Sequence, residues 1–330
     1  MSFQSQSTYD LEHIVIFGGA GYIGCALTSL LLKEGYRVTV FDDFLFGSEG
    51  IAQIKHQNLK VIEASICDTM AVSATVKNSD AVILLAALVG HRSEEVPQGT
   101  MRAVNFLAST VVLDAAIEHG IPRFIYASTN SVYGARSGLF YETTIPTPVT
   151  LYARLKLRME ERIISEKKKG VFHPTALRIG TCHGFSPRMR FDLAVNSLVR
   201  DAVINGEINV VSGEQMRAFI HVQDVAQSFL ACLKAHENLV SGEVFNVAAN
   251  NQNLSINQVL NVLKPLIPDT KINIIPGEAD LTGYRLSTKK IEQVLSFSAR
   301  VTLEESICEM RDALKENMFG DTYSLKYNNT

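Results

Sequence analysis

The sequence predicts an α/β protein, a doubly wound parallel sheet carrying a smaller C-terminal α/β lobe. Three observations carry this prediction. Apolar, β-branched runs at 13–17, 37–41, 59–63, 80–87 and 123–129 alternate with stretches of helical spacing, the pattern of successive βαβ units. The first run opens without a linker into glycines at 18, 21 and 24 and then a helical segment. Finally, 330 residues with 46% apolar content suffice for one large or two closely packed lobes around a real core.

Taken in order, residues 13–17 (HIVIF) read as a buried parallel strand. Gly18, Gly21 and Gly24 permit a tight turn, close approach of a pyrophosphate to backbone, and close packing of helix on strand, the marks of a Rossmann-type dinucleotide site. Tyr22 and Ile23 lie within the same turn. Helical spacing of Ala26, Leu27, Leu30 and Leu31 follows, up to a stop at Gly35. The second strand runs into Asp42 and Asp43, the first of them eighteen residues beyond Gly24. A carboxylate there accepts hydrogen bonds from adenosine ribose hydroxyls and repels the extra phosphate of NADP, so NAD is the expected cofactor. Asp68, just after the third strand, is placed for the adenine edge, and Ala86 and Ala87 end the fourth strand with side chains small enough for a cofactor to lie close. A helical stretch at 104–119 leads to the fifth strand, which ends in the polar residues Thr129, Asn130 and Ser131. Open parallel sheets place their chemistry at such strand ends.

Tyr152 and Lys156 stand four residues apart, on one face of a predicted helix. A phenol with an ordinary pKa of about 10 is a poor base at neutral pH. A neighbouring ammonium and a positively charged nicotinamide would favour the phenolate, which makes the pair a candidate for proton transfer.

Gly18-x-x-Gly21-x-x-Gly24, the Asp42-Asp43 pair, Ser128-Thr129-x-x-Val132-Tyr133-Gly134 and Tyr152-x-x-x-Lys156 together resemble the extended short-chain dehydrogenase/reductases, specifically the NAD-dependent nucleotide-sugar epimerases and dehydratases. The resemblance implies roles for residues of this chain. Tyr152 is the acid/base, Lys156 holds the nicotinamide ribose and depresses the Tyr152 pKa, Thr129 bonds the reacting sugar hydroxyl, and Asn105 steadies the active-site helix beside the cofactor. The segment Arg217 to Ala226 resembles a second family signature, and it implies that Arg217 clamps the substrate diphosphate, with Arg188, Arg190 and Asn196 as further substrate contacts. It also implies a homodimer through helices near 101–119 and 152–168. The expected division is a disordered tail at 1–10, an NAD-binding domain at 11–180 and a substrate-binding lobe at 181–330, with 217–236 returning to the first domain.

Departures from the family pattern bear on the reaction. Asn130 and Ser131 stand where 4,6-dehydratases carry an acidic pair, so proton delivery for loss of water is disfavoured and epimerisation at C4 is the expected chemistry. Decarboxylation, dehydration or net oxidoreduction of an activated sugar is the alternative, and a non-catalytic dinucleotide-binding scaffold is a third reading. Thr181-Cys182-His183 replaces the usual Asn-apolar-Tyr, and Thr282 replaces an Arg for which Arg285 could compensate; both put the identity of the substrate in question.

A net charge of −3 and a pI near 6.3 leave no electrostatic footprint for nucleic acid or an anionic membrane. The partner expected is a small molecule. Cys25, Cys67, Cys182, Cys232 and Cys308 are scattered, as suits reduced thiols in the cytoplasm. The apolar run at 81–90 is too short to span a bilayer. No metal-ligand spacing is present; Asp224 is expected as a helix N-cap, and His183 and His221 as packing or hydrogen-bonding residues.

Overall fold

The computed structural model describes residues 7–89, 96–168, 171–275 and 283–329. In chain order its strands are β1 (His13–Phe17), β2 (Arg37–Asp42), β3 (Leu59–Glu63), β4 (Ala81–Leu84), β5 (Arg123–Thr129), β6 (Gly138–Phe140), β7 (His173–Ile179), β8 (Thr181–His183), β9 (Glu207–Val211), β10 (Met216–His221), β11 (Glu243–Val247), β12 (Asn253–Ser255), β13 (Lys271–Ile275) and β14 (Tyr284–Leu286). Seven of them form one parallel sheet in the order β11-β7-β5-β4-β1-β2-β3. The direction of winding reverses between β1 and β4, and an open sheet of this kind leaves its ligand crevice at that point.

The two-residue period of the strands sorts their side chains onto two faces. Ile14 and Ile16 of β1 join one core with Leu27 and Leu31 of helix Tyr22–Lys33 and Phe229 and Leu233 of helix Val222–Lys234. Val15 and Phe17 point the other way, into a core with Val72, Val112, Met159 and Ile163 from helices Thr69–Val76, Ser109–Glu118 and Leu151–Ser165. Fully buried apolar side chains contribute roughly 1.5–3 kcal/mol each, so both faces are needed to hold the sheet rigid.

The smaller lobe combines a three-stranded sheet, β12-β10-β8, with the pairs β13-β9 and β14-β6. Its helices Ile256–Leu266 and Leu303–Lys315 each begin with a capping box, Ser255 with Gln258 and Thr302 with Glu305, which satisfies amide groups that no helical carbonyl reaches. Helix Val222–Lys234 lies against Tyr22–Lys33, and β11 completes the central sheet beside β7, so that sheet draws on residues from both sides of position 180.

Several local expectations change. Of the ten N-terminal residues read as a disordered tail, 1–6 lie outside the described residues, but Ser7 Oγ and the Thr8 amide donate to Glu237 Oε1 at 2.7 and 3.0 Å. Asp224 is not an N-cap. His221 takes that place, and Asp224, in the first turn, accepts from the Arg300 and Val301 amides at 3.0 Å each. Thr282 lies outside the described residues. The helical run Gln98–Glu118, with a π-helical turn at Ala103–Ala108, is the one helix among the described residues that is long and apolar enough to cross a membrane. Its Val112, Leu113 and Ala116 are fully buried in the second core.

Candidate active site

The ends of β1, β2, β4, β5 and β7 open onto a cleft of about 690 Å³, within the usual range for a small-molecule site. Its floor is the glycine turn. Gly18 has φ +83°, and a Cβ there would lie 2.6 Å from the Ala86 amide nitrogen; a Cβ on Gly24 would lie 2.4 Å from the Gly18 carbonyl oxygen. Only glycine fits either position, and helix Tyr22–Lys33 begins directly behind the turn, with its free amides towards the cleft. Asp42 stands at the end of β2, where Oδ2 accepts from the Ala20 amide and Oδ1 from the Phe44 amide, both at 3.0 Å. Burial raises its pKa, against the smaller lowering pull of these two amides.

At the opposite end, helix Leu151–Ser165 is capped by Thr150, whose hydroxyl accepts from the Ala153 amide at 3.1 Å. That cap sets the register which turns Tyr152, Lys156 and Glu160 onto one stripe. The Tyr152 phenol is hydrogen-bonded to Thr129, the last residue of β5. Burial pushes the phenol up to about 12, while Thr129 and then Arg190 act to lower it. Lys156 is 3% exposed; its Nζ lies 4.2 Å above the centre of the Tyr126 ring, and burial takes the ammonium down to about 7 against the pull of Glu160. Arg190, itself paired with Asp192 at 2.5 Å, is a cation that acts to lower the phenol, and the Lys156 ammonium lies over the Tyr126 ring.

Beneath the pair lies a buried polar network. Ser128 Oγ donates to Glu160 Oε2 at 2.5 Å, Arg178 Nη2 pairs with Glu160 Oε1 at 2.6 Å, Arg178 Nη1 donates to Tyr133 Oη at 2.9 Å, and Tyr133 Oη donates to Asn246 Oδ1 at 2.7 Å. It ties the catalytic helix to β5, β7 and β11, so the position of Tyr152 follows from the sheet. Sequence reasoning missed it, although Glu160 continues the four-residue spacing from Tyr152 and Arg178 puts a charge between Leu177 and Ile179 of a predicted strand.

Most of the expected site residues converge. Gly18, Gly21, Tyr22, Ile23, Gly24, Asp42, Asp43, Ala86, Ala87, Thr129, Tyr152 and Lys156 line the cleft, as do Ser131, Arg188, Arg190 and Arg217. Five do not. Asp68 N-caps helix Thr69–Val76, accepting from the Met70 and Ala71 amides at 3.1 and 3.0 Å, while Ala64 and Ile66 line the wall in its place. Asn105 sits behind the wall, accepting from the Leu88 amide and donating to the Leu88 carbonyl, so it steadies the loop after β4. Asn130 donates to Tyr284 Oη at 3.0 Å. Asn196 is fully buried, accepting from the Gly184 amide and donating to the Arg190 carbonyl. Arg285 is exposed on β14. Tyr22 has a second task, since its hydroxyl donates to the Gly184 carbonyl at 2.6 Å and stitches the glycine turn to the second lobe.

Two histidines and a cysteine near the cleft are chemically quiet. His183 is bonded to Ser306 and Gln252 and held neutral, burial taking it down to about 3. His221 is bonded to Glu309 at 2.6 Å. Burial pushes the Cys182 thiol up to about 12. Among the described residues no group of His, Cys, Asp and Glu could hold a metal ion.

A glycine cradle that only backbone can fill, a carboxylate at the end of β2 and a Tyr-Lys pair across one cleft define a dinucleotide-dependent enzyme. The chain belongs to the NAD dependent epimerase/dehydratase family, which matches residues 14–248, and NAD is its cofactor. It is 26% identical to a UDP-N-acetyl-alpha-D-glucosaminuronate decarboxylase of Bacillus cytotoxicus, over 90% of this chain and 96% of that one. It is 27% identical to a dTDP-D-glucose 4,6-dehydratase of Mus musculus, over 78% of this chain and 74% of that one. Among solved structures, UDP-glucuronic acid 4-epimerase from Bacillus cereus, in complex with UDP-glucuronic acid and NAD, superposes with a TM-score of 0.80 at 25% identity, covering 92% of this chain and 99% of that one.

Proposed function

We propose that this enzyme acts on a nucleotide-activated sugar, oxidising a hydroxyl to a ketone at Tyr152 and returning hydride to the opposite face, an epimerisation at C4. Bound in the cleft, NAD supplies a hydride acceptor that becomes the donor for the return step, so none is consumed. Tyr152 takes the hydroxyl proton and later gives it back; Thr129, bonded to the phenol, orients the two oxygens, and Arg190 with Lys156 supplies the positive surroundings a phenolate needs. Arg217, whose guanidinium lies 5.4 Å over the Tyr284 ring at the cleft edge, is placed to hold the diphosphate. The observation that carries the epimerase reading is Asn130. It is neutral, and its amide is committed to Tyr284, so no carboxyl group stands after Thr129 to move the protons that loss of water requires.

The decarboxylase and dehydratase relatives support a second reading, in which the same ketone is followed by loss of carbon dioxide or water. Arg190 near Tyr152 would suit a sugar carboxylate only in exchange for Asp192, which its Nε and Nη2 already engage at 3.0 and 2.5 Å. Product mass spectrometry and NMR after incubation with NAD and a panel of nucleotide sugars in heavy water separate the two. An isomer of unchanged mass, inverted at C4 and free of carbon-bound deuterium, is expected; a product lighter by water or carbon dioxide, or deuterated at C3 or C5, replaces epimerisation with the second reading.

We place the enzyme in the cytoplasm as a homodimer joined through Gln98–Glu118 and Leu151–Ser165. Leu107 is 60% exposed, and Arg158 from the second helix stacks 4.1 Å over Phe106 of the first. Leu107→Glu is expected to halve the mass measured by light scattering without lowering helix content. An unchanged mass would move the contact elsewhere.

A further inference from the structure

Arg188 comes from the second lobe, yet it does not face the sugar end of the cleft. Its backbone packs against Gly50, where a Cβ would lie 2.6 Å from the Arg188 Cβ, and its guanidinium is 4.9 Å over the Phe46 ring. Phe46 follows Asp42 and Asp43 along the loop after β2, and all three line the cleft together with Arg188. The side chain thus crosses to the end where the first lobe reads the adenosine of a dinucleotide.

Its hydrogen bonding is incomplete. Arg188 is 4% exposed; Nη2 donates to Asn329 Oδ1 at 2.5 Å, while Nε and Nη1 are buried and have no acceptor among the described residues. A buried donor left unpaired costs about 1–3 kcal/mol, more when charged. Burial and then Arg190 already push this guanidinium down to about 10. Two N–H groups of a planar cation that lines the cleft and lies over an aromatic ring are thus buried without an acceptor among the described residues.

We propose that Arg188 is the adenosine-end anchor of the cofactor cleft: its Nε and Nη1 donate to acceptors on the adenosine ribose or purine, and Asn329 is the positioning residue that fixes the guanidinium plane. Ribose oxygens and purine ring nitrogens are neutral acceptors compatible with the nearby Asp42 carboxylate. A 2′-phosphate would also accept from these donors, but it would stand against Asp42. Cofactor affinity therefore depends on both lobes, whichever sugar the cleft takes and whatever becomes of it.

The test is calorimetric titration of the full-length, cofactor-stripped protein with NAD, ADP-ribose and NADP. Arg188→Met is expected to raise Kd for NAD and for ADP-ribose by the same factor, about 10- to 100-fold, because both carry the adenosine and a hydrogen bond to a charged group contributes about 1.5–3 kcal/mol. Asn329→Ala should move both constants in the same direction by a few-fold, and Arg188→Lys should fall between parent and Met. Circular dichroism and thermal melting show whether each variant is folded; if Arg188→Met does not fold, Asn329→Ala and Arg188→Lys carry the comparison. Unchanged affinity in folded variants, or a parent that does not bind NAD, overturns the proposal. A parent that prefers NADP, and loses that preference in Arg188→Met, also overturns it, assigning the donors to a 2′-phosphate.

Discussion

Tyr152→Phe is expected to lower kcat by about 100- to 10,000-fold, the usual contribution of positioned acid–base catalysis, while leaving NAD affinity within about twofold of the parent. The substitution removes only the hydroxyl that bonds Thr129, and the ring keeps its place in the wall of the cleft. Thr129→Val should give a smaller loss, because it takes away the orienting partner and leaves the phenol. Single-turnover measurement of cofactor reduction on adding substrate separates chemistry from product release. If Tyr152→Phe reduces the cofactor within tenfold of the parent rate, Tyr152 is not the base, and another group takes the hydroxyl proton.

The second large effect lies in stability. Arg178→Met leaves Glu160 buried beside Ser128 without its cation, and breaking a buried pair in this way costs about 3–5 kcal/mol. A fall in Tm on the order of 10 °C is expected for a chain of this size. Replacing both members, Arg178→Met with Glu160→Met, should recover a substantial part of the loss, since no unpaired charge then remains in the core. Simple addition of the two single losses would show that the pair is not coupled. Lys156 supplies a second readout. Glu160 acts to keep its ammonium protonated, so the pH dependence of cofactor binding near neutrality should shift when Glu160 is removed.

The nucleotide-binding half was legible because each of its signals is local. A strand, a glycine turn and a helix occupy adjacent residues, and Gly18 to Gly24 needed only the spacing of the chain to be recognised. Asp68 was misread for the same reason. It stands close to the right strand end, but the fold gives it to two amides of the helix that begins one residue later. The partners of Asn130 and Arg188 could not be read from the sequence, since Tyr284 and Asn329 lie more than a hundred residues away. Long-range pairing also hid the place of β11. Its run of apolar residues reads plainly as a strand, but nothing local says that it lies beside β7 in the central sheet and not in the smaller lobe.

That placement has a consequence for the nascent chain. β7 ends at Ile179 and its outer neighbour β11 at Val247, so the ribosome must add 68 more residues before the sheet can close. At roughly 5–20 residues per second the interval is about 3–14 s. Through that time β7 has an open edge of unpaired amides and carbonyls, the surface on which sheets join wrongly. Helix Val222–Lys234 is synthesised within the same interval and covers one face of the sheet, but not that edge. The order of synthesis therefore leaves the half that holds the catalytic residues the longest without its final partner.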